Sequence, residues 1–239
     1  MHFAANPVRF PPETRFPIEN FVQQLITEVC SANETLPEGV IQRIVYYDRY
    51  VQTPMCLRIL GEIVKYLHPR HFELITSGFS FTPHDYERDH YSRHPKPYHN
   101  VEAWCYDYPN DPRGRDSVSY REDFFKHVID KIVDDRDVEV HVDTKSNVQH
   151  DREMFLEYEN GERRLIRFTG GVGMWIPSED INYWNGAATE LPSTIGLDFN
   201  DHLRRTFEQE ANVIASARDF NLVLKDSTSV IVSRESLEG

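Results

Sequence analysis

The stretch His150–Trp175, HDREMFLEYENGERRLIRFTGGVGMW, decides how the rest of the chain is read. Two runs, Met154–Tyr158 and Arg163–Phe168, flank Asn160-Gly161, a dipeptide that accepts the positive φ of a tight turn. The spacing predicts a β-hairpin. Ahead of and within the first strand stand His150, Arg152 and Glu157, in the order H-x-R-x4-E; behind the second come Thr169 and the run Gly170-Gly171-Val172-Gly173. An imidazole, a guanidinium and a carboxylate are the groups that phosphate chemistry uses. The first can attack phosphorus, the second can hold non-bridging oxygens, and the third can orient an imidazole. Asp151 and Glu153 alternate with Arg152 along a strand, so they face away from it and can pair across the hairpin with Arg163, Arg164 or Arg167. Those three arginines are also the best local basic cluster, read either as a solvated face or as an anion-binding patch.

Working outward, Ile18, Phe21, Val22, Leu25, Ile26 and Val29 recur at helical spacing. Gln42–Tyr47 is β-branched and aromatic and reads as a buried strand. Pro54 opens a second helix whose face is Met55, Ile59, Leu60, Ile63, Val64 and Leu67, and Phe72–Thr76 is the next strand. Two strands joined through a helix are expected to lie parallel. A third helix is expected around Tyr120–Val133, an alternating strand at Val138–Val142, a late helix through Leu203, Phe207, Ala211 and Ile214, and two short strands on either side of Asp226-Ser227. The fold class is α/β: a mixed sheet flanked by helices. Residues 1–17, punctuated by Pro7, Pro11, Pro12 and Pro17, read as an irregular arm, and 18–239 as one domain. Residues 80 to about 118 show no sustained period and read as a long polar insertion.

Composition sets limits. The 239 residues are 39% hydrophobic, 27% charged and 12% aromatic, with a formal net charge of -13. That charge opposes a general affinity for nucleic acid or anionic membranes. No apolar run approaches the ~20 residues that span a bilayer, and the N-terminus lacks the apolar core of a secretory signal. Cys30, Cys56 and Cys105 are odd in number and widely spaced, which fits reduced thiols in a cytoplasmic protein. His84, His90, His94 and His99 match no standard zinc spacing and read as part of the polar insertion, so neither a metal nor a cofactor is expected. The glycine run lacks the Gly-Lys-Ser ending of a phosphate loop and reads as a turn or bulge. Trp175, Tyr183 and Trp184 read as packing or interface residues.

The order of residues around His150 resembles the His-x-Lys-x4-Asp motif of the phospholipase D superfamily, with Arg152 for Lys and Glu157 for Asp. The segments IVYYDRYVQTPMCLRILGEIVKYL, FELITS, VEVHVDTKSNVQHDREMFLEYENGERRLIRF and DFNDHLRRTFE resemble, over roughly residues 20 to 210, the phospholipase-D-like C-terminal domain of proteins that carry an N-terminal MIT module. The residues before the first helix are too few for that module. The resemblance implies a phospholipase-D-like fold, a homodimer, and a non-catalytic domain that binds acidic phospholipids. His150 and Arg152 then mark a remnant site, with Arg167 and Thr169 beside it.

Two functions follow. The first is a non-catalytic, homodimeric binding module that recognises a phosphate-bearing ligand, such as an acidic lipid headgroup, or a protein partner within a larger assembly. His150, Arg152, Arg167 and Thr169 are its candidate ligand-binding residues. Replacing Lys by Arg favours this reading, because a guanidinium grips phosphate but does not donate a proton. The second is a metal-independent phosphodiesterase or nuclease, with His150 and Glu157 as catalytic residues in a dimeric site. The expected location is cytoplasmic, with peripheral membrane contact left open.

Overall fold

A computed structural model of the chain describes residues 6–32, 36–51, 54–77, 122, 125–126, 129–130, 133, 137–143, 147–148, 151–178 and 218–234. Its elements in chain order are strands β1 (Val8–Phe10) and β2 (Arg15–Pro17), a short 3-10 turn Ile18–Asn20, helix α1 (Phe21–Ala32), strand β3 (Ile41–Tyr47), helix α2 (Pro54–Leu67), and strands β4 (His71–Ser77), β5 (Asp137–Asp143), β6 (Arg152–Tyr158) and β7 (Arg163–Phe168). A 3-10 turn at Val172–Met174 then leads to β8 (Trp175–Pro177), β9 (Asn221–Leu224) and β10 (Thr228–Arg234).

Seven strands form one mixed sheet in the order β1-β10-β7-β6-β3-β4-β5, and three form a small antiparallel sheet, β2-β9-β8. The β3-α2-β4 crossover makes β3 and β4 parallel neighbours, as expected, with Ile44 opposite Phe72. The hairpin is also present: Glu153 pairs with Arg167 and Glu157 with Arg163 around a turn in which Gly161 takes φ +83°. The α/β class holds. The late helix, the 80–118 insertion with its histidines, Cys105, Tyr183 and Trp184 lie outside the described residues.

One face of the large sheet makes the core. Ile44 and Tyr46, Phe72 and Leu74, Val138 and Val140, and Met154 and Leu156 point the same way along four adjacent strands and are buried with the apolar stripes of α1 and α2. Period 2 in the strands and period 3.6 in the helices let both elements present one apolar surface. A register shift between Ile41 and Arg43 lets Ile41 turn inward as well. The opposite face carries a ladder of charge. Arg43 meets Glu73, Arg163 meets Glu157 at 2.9 Å, Arg167 meets Glu153 at 2.6 Å, and His71 Nδ1 lies 2.8 Å from Asp137.

The edge strand β5 is closed off by side chains. The Lys126 ammonium donates to the carbonyl of Val138 at 2.7 Å, and the Val142 N–H donates to the Glu122 carboxylate at 2.9 Å. Backbone groups that would otherwise template another strand are thereby occupied.

The N-terminal arm corrects an expectation. Its residues 8–10 and 15–17 are strands on either side of a turn: β1 joins the large sheet beside β10, and β2 joins the small sheet beside β9. Both are edge strands in their sheets, where the missing N–H of proline is tolerated. Aromatic packing explains why the arm is held. Phe10, Phe16 and Phe21 surround Trp175, with ring centroids 6.5, 5.4 and 5.0 Å from it. Trp175 is therefore a packing residue between the two sheets.

Candidate functional site

In an open sheet with parallel strands, ligands favour the carboxyl ends of those strands. At that end of β3 the chain reads Tyr46-Tyr47-Asp48-Arg49-Tyr50. The Asp48 side chain has no exposure to solvent. The Tyr46 hydroxyl donates to its Oδ2 at 2.9 Å, and the Tyr50 backbone N–H donates to its Oδ1 at 2.8 Å. Val172, in the turn after β7, adds a backbone N–H. Burial raises the carboxyl above its ordinary range, although these donors and Arg152 pull it down. Burial likewise pushes the Tyr46 hydroxyl well up, helped by the neighbouring Asp48.

Arg152 enters from the first position of β6. Its Nε lies 3.7 Å from Asp48 Oδ1, an ionic approach too long for a hydrogen bond. That Nε is buried and has no hydrogen-bond partner among the described residues. Nη1 donates to the backbone carbonyl of Thr169 at 2.9 Å, and the guanidinium lies 5.0 Å from the centre of the Tyr50 ring. The side chain is 14% exposed.

The glycine run closes this node. A Cβ at Gly171 would stand 2.0 Å from Asp48 Oδ2 and 2.7 Å from Arg152 Cδ. Its backbone, φ -71° and ψ -176°, is open to any residue, so glycine is required here for space and not for conformation. Gly170 is fixed separately: its N–H donates to the Thr228 hydroxyl at 2.9 Å. The run is a turn, as its composition suggested, but it serves as a lid over a buried charge pair.

The structure separates the residues that the motif grouped together. Arg152 and Glu157 are five positions apart on one strand and fall on opposite faces, Glu157 pairing with Arg163. Arg167 is on the face of Glu157, bound to Glu153, and so also points away from Arg152. Thr169 lies beside Arg152, yet its hydroxyl accepts from the Ser229 N–H at 2.7 Å and its carbonyl from Arg152. The three hairpin arginines do not form one patch, because Arg164 turns to the core face with a 5% exposed side chain. His150 lies outside the described residues. Sequence reading missed Asp48 altogether. The available signal was an acidic residue directly after a buried strand that feeds a parallel crossover.

Among the described residues, no group of three or more His, Cys, Asp or Glu could hold a metal ion, and no helix is long and apolar enough to cross a membrane. Compared with known proteins, residues 8–233 match the family model described as "DEAD/DEAH box helicase YjiV, C-terminal domain". No curated protein matches the chain. The family match overturns the resemblance to the phospholipase-D-like domain of MIT-module proteins. The H-x-R-x4-E letters that carried it run along a strand whose parity splits Arg152 from Glu157. The homodimer and lipid binding that this resemblance implied lose that support.

Proposed function

The chain belongs to the family of C-terminal domains of DEAD/DEAH box helicase YjiV, and from that premise we propose that it is a non-catalytic binding module acting alongside a helicase motor through protein contacts. One observation carries the non-catalytic half. The guanidinium that would grip a phosphate is enclosed by the Thr169 carbonyl, the buried Asp48 carboxyl and the Tyr50 ring. A ligand anion would have to open that enclosure and leave Asp48 without its counter-charge. Arg167 and Glu157 are held by cross-strand partners on the other face. The family's description as a helicase C-terminal domain supports the partner half, and the acidic balance of the chain favours a protein over a polyanion as that partner.

The test has two arms. In a metal-free assay on single-stranded DNA and on bis(p-nitrophenyl) phosphate, wild type and His150→Ala give the same background rate. Turnover that disappears in His150→Ala would restore the phosphodiesterase reading. In the second arm, the chain is mixed with a family helicase motor lacking its own C-terminal domain and run on an analytical sizing column. A shared peak is expected. Separate elution at micromolar concentrations removes the partner half, and the chain's own elution volume reports any self-association.

A further inference from the structure

A cleft of about 540 Å³ lies between the start of α1 and the end of α2, away from the Asp48 node. Ile18 lines its apolar side. Arg58 is almost wholly buried, and its guanidinium is fixed by Glu62 at 2.8 Å. Lys65 and Arg218 are exposed at the same cleft. Tyr66, beside Lys65, is 45% exposed, which is unusual for an aromatic residue in a chain that buries its other described large rings at least in part. With Glu19 and Glu62 as the carboxylates, the cleft carries three fixed cations against two anions, in a chain whose formal net charge is -13.

We propose that this cleft binds a phosphorylated nucleoside. Lys65 and Arg218, backed by the buried Arg58, supply the positive field that a phosphate needs. The exposed Tyr66 ring offers a flat apolar surface on which a base stacks. Glu19 and Gln23 can accept from ribose hydroxyls or an exocyclic amine. The volume is in the ordinary range for a small-ligand site. The same chemistry is presented by a free nucleotide and by the terminal nucleotide of a single strand. The inference rests on the cleft alone and not on the helicase partner, so the two can fail separately.

The test is calorimetric titration of the full chain at low salt with ADP, with pyrophosphate and with a short 5′-phosphorylated oligothymidylate. Wild type binds ADP. Arg218→Glu weakens that binding about tenfold or more, because a charge is reversed at the phosphate. Tyr66→Ala weakens ADP roughly fivefold or more and leaves pyrophosphate unchanged, because only the stacking surface is lost. Both positions are exposed, and an unchanged circular dichroism melt confirms that the variants fold. Tighter binding of the oligonucleotide than of ADP identifies a strand end as the ligand; the reverse order identifies a free nucleotide. Wild type that takes up neither, or titrations unmoved by both substitutions, overturns the proposal. A Tyr66→Ala loss that is equal for ADP and pyrophosphate removes the nucleoside and leaves a bare anion site.

Discussion

Arg152 and Glu153 are neighbours on β6 and end in opposite surroundings. Arg152 lies on the core side, beneath a glycine lid, against a carboxyl with no solvent exposure. Glu153 lies on the other face and is held by an Arg167 whose side chain is 60% exposed. Both are ion pairs, but water reaches the guanidinium of the second, whose Glu153 carboxylate is itself only 9% exposed, and screens that pair more than the first. A pair with one partner in water contributes modestly, because that end forms in high dielectric and a long side chain is ordered. A buried pair contributes little relative to an apolar replacement, yet losing one partner is costly, since the other stays desolvated and unpaired. The two faces of the sheet therefore differ in tolerance. The open face accepts change, and the Asp48 node does not.

The largest expected effect is Gly171→Ala. The added methyl falls inside the Asp48 carboxylate, so either the lid lifts or the pair is pushed apart. A destabilisation of about 3 kcal/mol is expected by urea unfolding. Gly173→Ala is the control: its Cβ would meet the Tyr50 carbonyl oxygen at 3.4 Å and Cys56 Sγ at 3.5 Å, ordinary contacts, and a change within about 0.5 kcal/mol is expected. Equal effects at the two glycines would show that the lid has no special fit.

A smaller effect is the pH dependence of Asp48→Asn. Burial holds the Asp48 carboxyl above its ordinary value, so the folded chain binds a proton more readily than the unfolded chain. The contribution of Asp48 is then most favourable below the unfolded value and declines as pH rises through the folded one. The stability of wild type relative to Asp48→Asn should fall as pH is raised from about 4, the usual aspartate value. A difference that rises with pH would mean that Arg152 and the hydrogen-bond donors outweigh burial. The smallest effect is Arg167→Ala, expected to lower stability by about 1 kcal/mol, with part of the loss abolished at high salt because the guanidinium end of the pair is in water. A loss of several kcal/mol there would erase the distinction between the two faces.

Periodicity made much of this architecture legible. Strand β5 reads Asp-Val-Glu-Val-His-Val-Asp and alternates exposed and buried along its length. The Asn160-Gly161 turn announced the hairpin, and the apolar stripe of α2 between two strands announced their parallel pairing. What stayed hidden was of two kinds. Strands β1 and β2 have three residues each, too short to show a period, and they form because Phe10 and Phe16 dock on Trp175 far along the chain. The Asp48 node joins residues about a hundred positions apart, which no local spacing reveals. The split between Arg152 and Glu157 was legible too, because a five-residue step on a strand reverses the face.

The measurement that bears most directly on Arg152 as part of the fold, and not as a ligand hook, is a double-mutant cycle. Urea unfolding of wild type, Asp48→Asn, Arg152→Ala and the double variant gives the coupling between the two side chains. A coupling of roughly 1–3 kcal/mol is expected for a buried pair in one network. Additive effects would mean that the guanidinium is energetically free of Asp48, and the enclosed, non-catalytic account of this site would be wrong.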